Sequence, residues 1–489
     1  MTDVLVAEGE SLAAAWRARW TEDPDAVALV DLTDDGGARY ARRDVERGSA
    51  AAAGALAALG VRRGDRVLFS GAASVPYLLL YVGAVRLGAV IVPANTQYTA
   101  AELEHIVADS GATAAVVDDP SRVALPALVP AQAALDHVAV DAGLDAGATD
   151  DLAMIAYTSG TTGRPKGAML SHRNLLASAR AVTQAWRWTP DDGLVLALPL
   201  FHLHGLGVGL HGSLVSGGRV LLLSAFTPDA VVAAAARPDA TLFFGVPTMH
   251  KRLVEHARAD ARAADALRSL RLVVSGSAPL AADLWQEIRS VTGQRVLERY
   301  GMTETIMTIS NPYDGERRPG TVGFPLPGVE VRLDEPGGEI LVRGPNVFAG
   351  YYGRPQATAE AFTPDGWFRT GDIGRRDAEG YIAIVGRSKE LIISGGYNVY
   401  PREVEEVLER HPGVAEAAVV GLPSAEWGER VVAFVVPARG DAPPPEDELA
   451  ALVQAHLAAY KKPRAYHLVD ALPRNALGKI ERSRLTGSL

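Results

Sequence analysis

Residues Tyr157 to Gly167 read Tyr-Thr-Ser-Gly-Thr-Thr-Gly-Arg-Pro-Lys-Gly. The hydroxyls of Thr158, Ser159, Thr161 and Thr162 can donate to phosphate oxygens. Gly160 and Gly163 let backbone N–H groups come close, and Lys166 adds a compact positive charge. A short apolar run, Leu152 to Tyr157, precedes this stretch. Ser171-His172-Arg173-Asn174 follows and leads into a helical pattern from Leu175 to Trp186. The order predicted is strand, phosphate-gripping loop, helix, which places the chain among α/β proteins.

An ordinary P-loop would read Gly-x-x-x-x-Gly-Lys-Ser/Thr, with the hydroxyl after the lysine serving Mg²⁺. Here Gly167 follows Lys166 and Pro165 stands where the P-loop glycine belongs, so kinase and motor ATPase readings fail.

With 489 residues, 48% of them hydrophobic and 22% charged, the chain is long enough for two or more globular domains and is not of disordered composition. A net charge of −10 offers no general attraction to nucleic acid or an anionic membrane, so anionic ligands must be met by local cations. The absence of cysteine excludes disulfides and thiolate catalysis. Met1 to Glu10 carries Asp3, Glu8 and Glu10 and lacks a basic segment before an apolar core, so no signal peptide is expected and a cytoplasmic location is. The most apolar run, Val75 to Pro93, is interrupted by Pro76, Gly83, Arg86 and Gly88 and reads as a buried helix followed by a strand, not as a membrane span.

To about residue 330, Ala/Leu-rich helical stretches alternate with Val/Leu/Ile runs, as in Ser49 to Leu59 then Arg66 to Phe69, and Ala101 to Ser110 then Thr113 to Val117. This predicts a large domain of mostly parallel sheets with ligand loops at the strand ends. From Gly328 the text becomes short strands between Gly/Pro turns, read as a small β region closing the large domain. A second, α+β domain is expected from Lys389 to Leu489, giving boundaries of 1–388 and 389–489.

The stretch 157–167 resembles the signature loop of the adenylate-forming superfamily, which contains acyl-CoA synthetases, luciferases and adenylation domains of peptide synthetases. Further strings follow in that superfamily's order. They are Phe201-His202-Leu203-His204-Gly205, Tyr300-Gly301-Met302-Thr303-Glu304-Thr305, Thr370-Gly371-Asp372, Gly386-Arg387-Ser388-Lys389-Glu390, Ser394-Gly395-Gly396-Tyr397-Asn398 and Pro473-Arg474-Asn475-Ala476-Leu477-Gly478-Lys479-Ile480. The resemblance implies an acid activated as an acyl-adenylate at the expense of ATP, with Mg²⁺, and then passed to coenzyme A.

It also implies roles. Lys479 bridges the substrate carboxylate and the α-phosphate. Glu304 and the Thr158 hydroxyl bind Mg²⁺, which takes hard oxygen donors. Asp372 accepts from the ribose hydroxyls, with Arg387 nearby. Tyr300 offers a flat face to adenine, and the loop carrying Ser277, Ala278 and Pro279 reads its edge, with Thr303 completing the nucleotide set. His202 is read as a wall of the acyl pocket. His202 and His204 would share one face of a strand, but no third metal ligand accompanies them. In this superfamily the small C-terminal domain swings after adenylation; Lys389 matches the hinge, and Gly395 and Gly396 leave room for the pantetheine arm. Lys461, Lys462 and Arg464 are candidates for the phosphates of coenzyme A.

Arg299, just before Tyr300, sits where relatives acting on simple monocarboxylic acids carry a small or apolar residue. A cation in the acyl pocket favours a substrate with a second carboxylate. The string Glu298-Arg299-Tyr300-Gly301-Met302-Thr303-Glu304 also resembles malonyl-CoA synthetases, which implies malonate, with methylmalonate as a close analogue. The alternatives are an Arg299 paired with Glu298 or turned to solvent, a different small or aryl acid, and transfer to a carrier protein instead of coenzyme A.

Overall fold

The computed structural model describes residues 6–33, 36–130, 143–158, 165–335, 337–394, 397–424, 427–438, 443–474 and 479–486, with Lys389 and Asn398 described in their backbone only. Ser159, Gly160, Thr161, Thr162, Gly163, Gly395, Gly396 and 475–478 lie outside the described residues.

In the first unit, Met1–Val331 with Val342–Phe368, two sheets form from strands of two to seven mostly apolar residues. One is nine-stranded, in the order Phe324–Pro325, Ile309–Ser310, Leu297–Tyr300, Leu272–Ser275, Leu242–Gly245, Gly193–Leu196, Arg219–Leu222, Val27–Asp31, Arg39–Ala41. Its six inner strands are parallel and antiparallel pairs close both edges. Strands such as Leu242–Gly245 and Leu272–Ser275 are buried along their whole length, as strands covered on both faces must be. The other sheet has the order Ala127–Leu128, Ala114–Val117, Arg66–Ser70, Val90–Pro93, Leu152–Thr158, Lys166–Ser171.

Local signals set the helix ends. Val75–Leu87 is capped by Ser74, whose Oγ accepts from Tyr77 N, and stops at Gly88 with φ of 79°. Ala100–Ser110 starts from a Thr99/Glu102 capping box and ends at Gly111.

One local expectation changes. Between the strand Leu152–Thr158 and the helix His172–Ala185 lies a second strand, Lys166–Ser171, antiparallel to the first with Thr158 opposite Lys166. The order is strand, loop, strand, helix. Gly167 makes the hairpin possible, because a Cβ there would lie 2.5 Å from Ile155 Cγ2. Six residues with one glycine and an irregular burial pattern carry too little periodicity to announce a strand.

The second unit takes Arg332–Leu341 and Arg369–Leu489. It therefore begins earlier in sequence than residue 389, because Glu330–Asp334, Glu339–Arg343, Phe368–Arg376 and Ile382–Arg387 form one four-stranded sheet. The region read as a lid of the large domain contributes most of this sheet to the second unit. A further sheet pairs Val414–Ser424 with Gly428–Pro437, flanked by Ile392–Ser394, Tyr397–Val399 and Ala465–Leu468. Alternation along it builds two cores. Ala417 and Val419 pack with Val404 and Leu408 of the helix Pro401–Leu408, whereas Ala418 and Val420 pack with Leu472 and Leu485. Among the described residues no helix is long and apolar enough to cross a membrane.

Four histidines of the first unit, His172, His204, His211 and His250, are buried. Their bonds are to neutral partners: His211 Nε2 to the Tyr81 hydroxyl at 2.6 Å, and His250 Nε2 to the Val274 carbonyl at 3.1 Å. Burial pulls His172 and His250 down to about 4, His211 to about 3 and His204 well below the ordinary value. An unfolded chain protonates its histidines near pH 6.5, so below that pH the unfolded state binds more protons and stability falls as the solution is acidified. Urea unfolding of the first unit followed from pH 7 to pH 5 is expected to show an uptake approaching about four protons at the acid end. A profile flat over this range would show that these side chains are not held neutral.

Candidate active site

Each unit carries a group of polar side chains that the fold shields and orients. In the first unit, the strands flanking the phosphate loop end at Thr158 and begin again at Lys166. A further segment runs beside them: Met169 N donates to Gly350 O at 2.9 Å and Tyr352 N to Gly167 O at 2.8 Å. This brings in Tyr351, whose ring lies 5.3 Å below Lys166 Nζ and whose O–H donates to Glu304 Oε1 at 3.0 Å. Glu304 is 5% exposed. Burial, then the Glu304 carboxylate, raises the Tyr351 phenol, so it stays a donor. Sequence reasoning missed Tyr351, although the run Gly350-Tyr351-Tyr352-Gly353 is an obvious turn with two aromatics.

The stretch Tyr300 to Thr308 is tightly held. Thr308 N donates to Tyr300 O at 3.0 Å and Asn346 Nδ2 donates to the carbonyls of Thr305 and Met307. Ile306 adopts φ of 56°, unusual for a β-branched residue, and a Cβ at Gly301 would lie 2.2 Å from Ile306 O. The donor set suits magnesium, since Glu304 and Thr158 offer hard oxygen atoms and Mg²⁺ needs only one or two from the protein beside phosphates and water. No group of three or more His, Cys, Asp or Glu side chains placed to hold a metal occurs among the described residues.

A second cluster centres on Arg299. On the strand Leu297–Tyr300 consecutive side chains face opposite ways, so Glu298 turns aside and accepts from Leu280 N at 3.0 Å. Arg299 is 6% exposed, and its Nε and Nη2 are buried without a hydrogen-bond partner. Neither a Glu298 pair nor a solvent-facing side chain is found. Burial lowers the guanidinium to about 9, which leaves it charged at neutral pH. It packs on Gly276 so closely that a Cβ there would lie 2.3 Å from its Cζ.

His204 joins this cluster. Its Nδ1 lies 3.2 Å from Ser277 Oγ, its ring stacks on Phe244 with centroids 6.3 Å apart, and its Nε2 is buried without a partner. Burial and then Arg299 depress its protonation. Ser277 holds φ of 71° to present this hydroxyl. The expectation that His202 and His204 lie on a strand is corrected: His202 sits in a turn against Phe201, and His204 opens a π-helix, His204–Leu210. Gly205 and Gly207, where a Cβ would meet Pro199 O at 2.5 Å and Leu203 Cδ2 at 3.0 Å, allow this wide turn to pack.

Two family models match the chain: the AMP-binding enzyme model over residues 16–352 and the AMP-binding enzyme C-terminal domain model over residues 403–479. The chain belongs to the AMP-binding enzyme family. It is 40% identical over 464 residues to a feruloyl-CoA synthase of an Amycolatopsis species, covering 91% of this chain and 93% of that protein. It is 36% identical over 480 residues to the mitochondrial malonate–CoA ligase of Mus musculus, covering 87% and 82%. Among solved structures, ATP-bound MatB from Rhodopseudomonas palustris superposes with a TM-score of 0.88 at 39% identity, covering 97% of this chain and 98% of that one. The AMP-binding enzyme described here is thus an acid–thiol ligase with the adenylate-forming fold, and ATP, Mg²⁺ and coenzyme A are its co-substrates and cofactor.

The second unit of this AMP-binding enzyme carries its own polar set. Asp372 and Arg387 face each other across paired strands, with Arg387 Nε donating to Asp372 Oδ1 at 2.8 Å, and Asp372 is 4% exposed. Lys479 is exposed, beside an antiparallel bridge between Arg474 and Ile480. In the basic cluster, Lys461 is ion-paired with Glu403 and Arg464 stacks on Trp427 at 4.5 Å, so both have partners inside the unit.

The contact between Gly276 and Arg299 is testable by stability. Gly276→Ala should cost about 1–3 kcal/mol by crowding the guanidinium. The same change in an Arg299→Ala background should cost much less. Urea unfolding of the four proteins measures the coupling, and additive losses would show that the two residues do not crowd each other.

Proposed function

We propose that this ligase converts malonate, ATP and coenzyme A to malonyl-CoA, AMP and diphosphate, with methylmalonate as an alternative acid. The observation that carries the proposal is Arg299: a buried guanidinium with two N–H sites unpartnered. Such a cation is costly to hide, and a second carboxylate on the substrate would repay that cost with charge-assisted hydrogen bonds. His204 Nε2, likewise buried without a partner, is a neutral group available to the same carboxylate. The malonate–CoA ligase among the relatives supports this reading; the feruloyl-CoA synthase at 40% identity is the reason it needs testing.

In the first half-reaction a carboxylate oxygen attacks the α-phosphorus of ATP and diphosphate leaves, giving an acyl-adenylate. We assign Lys479 to neutralise the approaching anions, and His202 to the wall beside the activated carboxyl. Lys166 and the loop residues Ser159, Gly160, Thr161, Thr162 and Gly163 grip the departing phosphates. Tyr300, Thr303, Ser277, Ala278 and Pro279 hold the adenine end, and Asp372 with Arg387 the ribose. Glu304 and Thr158 would hold Mg²⁺, which when bound offsets the charge of the phosphate oxygens. In the second half-reaction the thiol of coenzyme A attacks the acyl carbon and AMP leaves. Lys389 is assigned as the hinge between the half-reactions, and Gly395 and Gly396 as the floor of the pantetheine passage.

AMP release measured with malonate, methylmalonate, succinate, acetate, butyrate, benzoate and ferulate tests the acid. Malonate should have the highest kcat/KM, and Arg299→Ala should lower it by about 30- to 300-fold with little change in ATP affinity. Equal malonate turnover in the variant would refute the role of Arg299. Product formation with a carrier protein but not with free coenzyme A would favour the loading reaction instead.

A further inference from the structure

The mechanism leaves Tyr351 without a task, yet it touches two of the groups assigned above. Its ring supports Lys166 Nζ at 5.3 Å and its hydroxyl donates to Glu304 Oε1 at 3.0 Å. The backbone explains how it reaches both. Residues 350–352 pair with the strand Lys166–Ser171 through Met169 N, Tyr352 N and an antiparallel bridge between Ala168 and Tyr351. Phe348 N donates to the carbonyl of Glu304 itself at 2.8 Å, so one short segment is tied at one end to the lysine strand and at the other to the carboxylate residue. The segment is fastened again by Arg354, which pairs with Asp109, and Asp109 in turn accepts from the Tyr157 hydroxyl at 2.8 Å, on the strand leading into the phosphate loop.

We propose that Tyr351 is a positioning residue of the adenylation reaction, aiming the Glu304 carboxylate at the metal and holding Lys166 in line with it. This rests on the reading of Glu304 as a magnesium ligand. A carboxylate has about four lone-pair sites, so it can accept the phenol hydrogen and still coordinate Mg²⁺. Fixing one oxygen leaves the group with a single orientation, which suits a cation that demands near-ideal octahedral geometry. The ring serves the lysine differently: its negative face attracts the ammonium without binding it so tightly that it could not move to a phosphate.

The two contacts come apart in two variants. Tyr351→Phe keeps the ring and removes the hydroxyl; Tyr351→Leu removes both. Mn²⁺ standing in for Mg²⁺ is titrated into the full-length protein saturated with a non-hydrolysable ATP analogue, and free Mn²⁺ is read by electron paramagnetic resonance. Tyr351→Phe should weaken Mn²⁺ binding about ten-fold, the loss expected for one hydrogen bond to a charged group. Its affinity for the metal-free analogue in EDTA should be unchanged, whereas Tyr351→Leu should weaken both. Wild-type Mn²⁺ affinity in Tyr351→Phe would overturn the proposal. So would equal losses of metal-dependent and metal-free binding in that variant, which mark a residue that only packs. Glu304→Gln serves as the control: unchanged Mn²⁺ affinity there removes the metal-ligand reading and the proposal with it, whatever acid the enzyme uses.

Discussion

A guanidinium whose Nε and Nη2 are buried without a hydrogen-bond partner is the constraint around which the end of the strand Leu297–Tyr300 is organised. Arg299 can be hidden only if its neighbours make space for it and if the sheet presents it inward. The strand Leu297–Tyr300 does the second by its two-residue period, which sends Glu298 to the opposite face. Gly276 does the first, because its missing side chain is the space that the guanidinium fills. Ser277, the next residue, takes a left-handed backbone conformation and turns its hydroxyl to His204. These contacts join the end of one parallel strand, Leu272–Ser275, to its neighbour Leu297–Tyr300, the place where ligands of parallel α/β sheets are held.

The phosphate end of the first unit depends on a different kind of constraint, backbone pairing between distant segments. Lys166 and Glu304 are 138 positions apart in the sequence. They are brought into one neighbourhood because residues 350–352 hydrogen-bond beside the hairpin and carry Tyr351 between them. The same hairpin requires Gly167, and the loop of Glu304 requires Gly301 under Ile306 O. Paired main chain thus carries Lys166, Tyr351 and Glu304, and part of the entropy of ordering these side chains is met in folding instead of at ligand binding.

Much of this was legible in the sequence. Helices and strands of the large unit follow from apolar runs bounded by Ser, Thr, Pro and Gly signals, and the motif strings gave the chemistry. What was not legible was long-range or marginal in length. The strand Lys166–Ser171 is too short to show its period, and the π-helix at His204 has no sequence period of its own. The sheet that draws residues 332–341 and 369–388 into the second unit depends on pairing across some 30 residues. Tyr351 acquires meaning only when its segment is laid beside another strand. The alternative of an Arg299–Glu298 pair, by contrast, could have been discarded from sequence, since adjacent residues on a strand do not share a face.

The charge of the Arg299 cluster follows from which of its groups can ionise. Arg299 stays protonated, whereas burial holds His204 and His250 neutral, and the presence of Arg299 pushes His204 further in that direction. The three groups together therefore present one positive charge and not three. On the proposed reading, one positive charge would match one additional carboxylate; three would demand a more highly charged acid, or counterions that would compete with it. The histidines contribute shape and directional nitrogen atoms without adding to the electrostatic demand, and Ser277, by engaging His204 Nδ1, restricts the tautomer that the imidazole can adopt. Under the malonate reading proposed above, selectivity for a second carboxylate would arise from leaving Arg299 unpaired when a monocarboxylic acid binds, a penalty carried by the rejected substrate and absent for the accepted one.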